Sequence, residues 1–287
     1  MTDWKPLKRR WRKLRDRLFG RLIETRLGRE MVVNALPGRV LSMTTDCGDH
    51  VLTFSPHDYI GRKVYRKGHF ERGGIKRLVT VLEAEGALNR GKVLLELGGN
   101  IGTQTIYWAK TGFFPRIVTI EPDPRNFAFL SRNIRDNGLE SMVTLVQSAA
   151  GDCVGMIDFY QNPDNHGKSS ALRSSPRDRM MQVPVRPVEQ VLTEHGIAPS
   201  DIGLIWMDIE GYEPVACRSM EGLMQAGVPL YMEFSPEFYG GEADAFRQSL
   251  ARFYGRAFTF FEGKPLARMN PAELPLGDGQ FDVLLLP

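Results

Sequence analysis

The stretch Lys92-Val93-Leu94-Leu95-Glu96-Leu97-Gly98-Gly99-Asn100-Ile101-Gly102 runs an apolar strand signal straight into a glycine-rich turn, and Thr103 to Thr111 continues it as a helix signal. A short apolar run of this kind suits a strand buried on both faces, as in a parallel sheet covered by helices. Glycine at 98 and 102 lets the backbone turn tightly and approach a ligand, with the helix N-terminus facing the same space. A dinucleotide fold asks for Gly-x-Gly-x-x-Gly, so that a pyrophosphate reaches that helix N-terminus. Asn100 stands where the second glycine would be, which points away from a pyrophosphate.

Outward from this unit, strand and helix signals alternate from Ile75 onward, the pattern of a parallel sheet covered on both faces. Arg116 to Ile120, Met142 to Val146, Ile202 to Met207 and Pro229 to Phe234 read as strands. So do Ala257 to Phe261 and Phe281 to Leu286. Pro124 to Asn137, Pro214 to Gln225 and Glu242 to Phe253 read as helices. The Gly, Ser, Pro and Asn content of residues 151–186 predicts loops, either covering a site or simply disordered. Upstream, residues 37–65 read as β-structure around a hairpin turn at Thr45 to Asp49. The polar stretch that ends this region, reaching Gly74, reads as an irregular cover.

Two acidic strings follow strands. Glu121 closes a strand in Ile120-Glu121-Pro122-Asp123-Pro124, nineteen residues beyond Gly102. A carboxylate there can accept both hydroxyls of an adenosine ribose, a role shared by nicotinamide and S-adenosylmethionine sites. Asp123 suits the cap of the helix that begins at Pro124, leaving Glu121 for the ribose. The second string is Trp206-Met207-Asp208-Ile209-Glu210-Gly211-Tyr212-Glu213. Glu213 fits a helix-start role, but ionised groups such as Asp208 and Glu210 at a buried strand's end must be paired or used.

Together with Phe54 to Gly61 and Tyr65 to Glu71, these strings resemble the FkbM-type S-adenosylmethionine-dependent methyltransferases over about residues 50–240. The family more often has Asp and Ala where this chain has Glu96 and Gly99. The resemblance implies a Rossmann-like class I methyltransferase fold: α/β, with a mostly parallel seven-stranded sheet and helices on both faces. It implies S-adenosyl-L-methionine as cofactor. Gly98, Asn100 and Gly102 would cradle its methionine part, Glu121 would hold the ribose, and Ser148 and Ala149 the adenine, with Glu96, Thr103, Pro122 and Asp208 completing the set. It also implies O-methylation of a sugar, glycan or small natural product. An alcohol acceptor must lie in line with the methyl, about 3–3.5 Å away, and lose its proton. Asp208 and Glu210 are candidates for base or acceptor anchor, and His57 and His69 are further candidates from the upstream segment. No metal is expected, because no histidine or third carboxylate stands at clear ligand spacing. A nicotinamide oxidoreductase or a scaffold with an idle Rossmann core are the competing readings.

Charge is unevenly placed. Residues 1–30 carry eleven Lys or Arg against four Asp or Glu, so a chain of net charge +3 has a basic tail on a mildly acidic body. Trp4, Leu7, Trp11, Leu14, Leu18 and Leu22 fall on one helical stripe, with Gly28 read as the stop. That tail suits either an anionic membrane surface or self-association through residues 4–22. With basic residues confined to it, no nucleic acid is expected. Three cysteines without a CxxC pair read as buried, reduced thiols. With no apolar span or signal-peptide core, this favours a cytoplasmic protein, peripheral to the inner membrane face if the tail binds lipid. The expected organisation is a basic amphipathic helix at 1–30, a β-rich extension at 31–74 that covers the site, and a methyltransferase domain at 75–287.

Overall fold

In the computed structural model, which describes residues 5–261, 263–277 and 279–287 and of 5–9 the backbone alone, the chain divides into two units, one ending at Phe70 and one spanning Glu71–Pro287.

The N-terminal unit holds α1 (Lys5–Ile23), α2 (Arg26–Asn34), the strands β1 (Met43–Asp46) and β2 (Val51–Phe54), and α3 (Tyr59–Lys67). The basic segment is therefore two helices, not one. Thr25 breaks it by capping α2, its Oγ1 accepting from the Gly28 amide at 3.0 Å. Gly28 lies inside α2 and is no stop. A Cβ there would lie 1.9 Å from the Leu22 carbonyl oxygen, so glycine is what permits the close corner between the helices. Along α1 the apolar stripe is open, with Trp11 68% and Leu18 59% exposed. Trp4 and the side chain of Leu7 lie outside the described residues. β1 and β2 form the expected antiparallel hairpin, Met43 opposite Phe54 and Asp46 opposite Val51.

The stretch after the hairpin is a helix where an irregular cover was expected. Asp58 caps α3 by accepting from the Ile60 and Gly61 amides, and Gly68, at φ 78°, ends it. Ile60 and Val64, one turn apart, are buried, whereas Arg62 and Lys67 are exposed.

The larger unit opens with α4 (Arg72–Ala84), β3 (Val93–Leu97), α5 (Thr103–Thr111), β4 (Arg116–Ile120), α6 (Pro124–Asp136) and β5 (Val143–Val146). Next come β6 (Ala149–Ala150), β7 (Gly155–Gln161), β8 (Arg179–Arg186), α7 (Val188–Glu194) and β9 (Ile202–Met207). The chain goes on through α8 (Glu213–Arg218), α9 (Glu221–Gln225), β10 (Leu230–Phe234), α10 (Pro236–Tyr239) and α11 (Ala243–Ala251), and ends with β11 (Arg256–Phe260), β12 (Ala267–Met269) and β13 (Phe281–Leu286). The main sheet runs β12-β11-β13-β10-β9-β3-β4-β5. From β10 to β5 its pairs are parallel, and β13, β11 and β12 join antiparallel. It thus has eight strands where seven were expected, the extra one being the short edge strand β12.

Alternation along β3 covers both faces of this α/β sheet. Val93, Leu95 and Leu97 enter a core shared with residues of α7, α8 and α11, while Glu96 turns the other way, to Thr105 of α5.

The segment 151–186 is more ordered than loops. β7 and β8 pair antiparallel, and β8 pairs in parallel with β6. Ile157 and Phe159 face Met181, Val183 and Val185 in a small core of their own. Of the three cysteines only Cys217 is buried; Cys153 is exposed and Cys47 partly so, so the reading of buried thiols holds for one. No helix among the described residues is long and apolar enough to cross a membrane.

Candidate active site

The strand order reverses between β3 and β9. From β3 the chain steps outward to β4 and β5, then returns to lay β9 and β10 on the other side. Ligands of open α/β sheets bind outside the carboxyl ends of the strands at such a switch point. Gly98 and Asp208 are the residues that leave β3 and β9 there. They come so close that a Cβ on Gly98, whose φ is 89°, would lie 1.8 Å from the Asp208 carbonyl oxygen, and the Asp208 amide donates to the Leu97 carbonyl at 3.0 Å. Only glycine fits this crossing.

The turn that follows is held from inside. The Gly98 and Gly99 amides donate to the Ile120 carbonyl, and the Gly102 amide to that of Gly99. The Asn100 amide donates to Glu121 Oε2 at 2.7 Å. With these donors engaged, the turn has few N–H groups left for a pyrophosphate, as Asn100 suggested. Among the described residues the non-glycine residues at positive φ are Glu71, Asn100 and Glu210. Two of the three sit at this edge, where backbone strain commonly marks function.

Glu121 turns toward the Gly98–Gly102 loop and is buried. Each carboxyl oxygen accepts one backbone amide, Oε2 from Asn100 and Oε1 from Asp123 at 2.8 Å. Burial, then the Asp123 charge, push it up to about 8, against the two amides and the Arg125 charge. A carboxylate has about four lone-pair positions, so one on each oxygen remains for a further donor. Asp123 caps α6 through the Arg125 amide, as its place before Pro124 suggested.

Glu96 does not face this space. Fully buried, it accepts from Thr105 and Thr119 through Oε2 at 2.6 and 2.7 Å. Burial raises it to about 7, the two hydroxyls opposing. Beside the turn, Gly98, Ile120, Pro122, Ala149, Ala150 and Phe159, with Ala171, Ile209 and Tyr212, line a narrow apolar slot. Thr103 is buried at the start of α5. Asn100 Oδ1, Ser148 Oγ and Gln104 Oε1 are buried without a protein partner, a costly state unless something else bonds them. Gln104 and Phe159 carry no signal in the sequence, since an amide or apolar residue among others does not stand out, and Tyr212 stands in the second acidic string without an expected role.

The second acidic string lies across the switch point. Asp208, which is open to solvent, and Glu210 are joined by Glu233 of β10, their carboxylate oxygens within 4.8 Å of one another. This is the third carboxylate that spacing along the chain did not provide. Gln280 Nε2 bridges Glu210 and Glu233 at 3.5 and 3.1 Å. Glu213 holds the turn beneath them, accepting the Ile209 and Gly211 amides and the Tyr239 hydroxyl. Enclosure by protein raises Glu210 and Glu233, the Asp208 charge adds to this at both, and Lys168 opposes it at Glu210. Like charges this close do not all ionise together, so the cluster retains protons near neutrality. Such a group can take a proton from a neutral hydroxyl. In the N-terminal unit, His57 Nε2 lies 3.0 Å from the Val40 carbonyl oxygen and His69 is exposed.

The segment 151–186 ties both strings together. Arg125 donates to the Asn162 carbonyl and Ser169 Oγ, Asn126 to the His166 carbonyl, and Ser170 Oγ to the Glu210 carbonyl at 2.7 Å.

Among solved structures, the FkbM methyltransferase from Methylobacillus flagellatus KT is similar over 79% of this chain, at 16% identity and TM-score 0.44. The chain spans 55% of that protein's length. TYW2 from M. jannaschii, solved with AdoMet, is similar over 87% of this chain and 86% of its own, at 11% identity and TM-score 0.42. An O-methyltransferase from Bacillus cereus, solved with SAH, gives 75% and 81%, at 14% and 0.39. No curated protein matches. The sequence profile of the methyltransferase FkbM domain matches residues 96–256, more than half of the chain and the whole edge from Glu96 through the carboxylate cluster, and the chain belongs to the FkbM methyltransferase family.

Proposed function

We propose that this chain uses S-adenosyl-L-methionine to methylate a hydroxyl of a sugar, glycan or small natural product. The observation that carries the reading is Glu121, whose two oxygens each accept one backbone amide, from Asn100 of the glycine loop and from Asp123, and each keep a lone pair for a further donor. A ribose diol offers two such donors, and they would favour the ionised carboxylate that burial opposes. Of the other expected residues Glu96 faces away, but several fit the cofactor. Gly98, whose crossing with Asp208 admits no side chain, lines with Ala149 the apolar slot that suits an adenine, and the orphaned Asn100 Oδ1 and Ser148 Oγ await polar partners.

When bound, the cofactor supplies an electrophilic methyl group. The protein's own work is then to orient the acceptor oxygen and remove its proton. Glu210 carries that proton in this reading, with Asp208 and Glu233 beside it to share the charge, and Glu213 as a positioning residue under the turn. Incubation with labelled S-adenosylmethionine and fractionated cell extract, followed by mass analysis, tests this. Label should enter an oxygen-linked methyl group of a small hydroxylated product. Label in a nitrogen-linked methyl, or none at all, counts against the reading.

A second reading concerns α1, where nine Lys or Arg accompany Asp16 alone while Trp11, Leu14, Leu18 and Leu22 are each more than half exposed. Such a helix suits an anionic bilayer surface, each basic residue near the headgroups contributing about 1 kcal/mol. Cosedimentation with phosphatidylserine vesicles, lost on Trp11→Glu, is expected. Concentration-dependent dimerisation without vesicle binding would favour self-association instead.

A further inference from the structure

Glu210 also forms one wall of a cavity of about 310 Å³, whose other walls come from Phe238 and from residues 162–175. Its walls are not alike. Leu172 and Phe238 supply an apolar side, and they converge on Gly211, where a Cβ would meet both within 3 Å. Lys168 and Arg173 supply a cationic side. The loop that bears them is built rather than loose. Asp178, itself buried, accepts the Ser174 and Ser175 amides and the Asn162 side-chain amide. Ser170 bonds the loop to the Glu210 carbonyl.

The charges of this segment do not cancel locally. Of the nearby acids, Asp164 pairs with Arg177 at 2.7 Å, and Asp178 is turned into the loop by its amide donors and does not line the cavity. Arg173 donates through Nε and one terminal nitrogen to the Ser175 and Pro176 carbonyls, which fixes the guanidinium without neutralising it. Neither Lys168 nor Arg173 has a carboxylate within ion-pair distance among the described residues. Among the residues that line the cavity only Glu210 opposes these two cations, and it belongs to a carboxylate cluster that retains protons near neutrality. Both cations are exposed at the rim of the cavity, and a pair of cationic donors placed so, with no carboxylate partner, suits an anion such as a phosphoryl or carboxylate group.

The geometry points to an acceptor that carries an anionic group, a phosphate ester or a carboxylate, read by Lys168 and Arg173, with its ring against Phe238 and Leu172 and its reacting hydroxyl toward Glu210. This rests on the reading of the site as a methyl-transfer centre. It narrows the acceptor from any hydroxylated small molecule to an acidic one, and it makes the segment 162–175 the specificity element of the site.

The test is calorimetric titration of glucose 6-phosphate, glucuronate and methyl glucoside into full-length protein saturated with S-adenosylhomocysteine. The two anionic sugars should bind at least tenfold tighter than the neutral one, more weakly as salt is raised, and the tighter of the two tells phosphate from carboxylate. Lys168→Met with Arg173→Met should erase that margin while S-adenosylhomocysteine binds as before. Equal binding of all three sugars, no binding of either anionic sugar, or a margin that survives the double variant overturns the inference. Failure of S-adenosylhomocysteine itself to bind would instead overturn the cofactor reading on which it rests.

Discussion

Two sets of carboxylates stand at one edge of the same sheet, and their surroundings could hardly differ more. Glu121, at the end of β4, is a single acid with one backbone amide on each oxygen. Asp208, Glu210 and Glu233, at the ends of β9 and β10, are crowded together with one glutamine amide between two of them. The first arrangement holds a carboxylate in a fixed orientation and leaves each oxygen one acceptor position, which suits a diol that is bound and left unchanged. The second holds protons by mutual repulsion, which suits a group that must gain and lose one. The residue type alone decides neither role; the donors supplied by the backbone do.

The largest effect that could break this contrast comes from the crossing that separates the two sets. Gly98→Ala puts a methyl group onto the Asp208 carbonyl at a φ of 89°, and urea unfolding should show a loss of about 3–5 kcal/mol. A stability within 1 kcal/mol of wild type would mean that the two strand ends are not locked together.

Next in size is Glu210→Gln, which keeps the shape and the Gln280 contact but removes the proton acceptor. Methyl transfer should fall at least about 100-fold, or ~2.7 kcal/mol, with S-adenosylhomocysteine affinity unchanged within about threefold. An equal loss of both would erase the division of labour.

Acidity gives a third test. Glu96, raised to about 7 chiefly by burial, and Glu213, likewise raised to about 7, hold protons in the folded chain that the unfolded chain has released above about 4.5. Folding is thus favoured at low pH, and that advantage is lost as pH rises through about 7. Unfolding free energy should drop between about pH 4.5 and 7 and level off above that, by at most about 3 kcal/mol for each such group. Glu96→Gln should flatten part of that slope.

The smallest effect expected is from Tyr239→Phe. It removes the hydroxyl that donates to Glu213 and accepts from the Ser235 amide, at a cost of about 1–2 kcal/mol with cofactor affinity preserved.

Much of this edge was legible in the sequence because it is local. The strand, the glycine turn and the helix at 92–111 are contiguous, and Glu121 and Asp208 each follow an apolar run. Glu233 was hidden because its meaning depends on the neighbour across the sheet. Met232 pairs with Met207, and nothing in Leu230 to Phe234 announces which strand lies alongside. The β-structure of 151–186 was overlooked for another reason. Ile157 and Phe159, and Met181, Val183 and Val185, do alternate as strands should. Their polar neighbours and Pro184 obscure that pattern in the sequence. For α3 the signals of Asp58, Ile60, Val64 and Gly68 were present, but four basic residues masked a narrow apolar stripe.

The central claim is that Glu121 grips the sugar of an adenosine-bearing thioether. Calorimetry with S-adenosylhomocysteine on wild type and Glu121→Ala tests it directly. The account predicts measurable binding by wild type and a loss of at least about 100-fold in the variant, equivalent to ~2.7 kcal/mol. Equal affinities, or no binding by wild type at millimolar ligand, would contradict it.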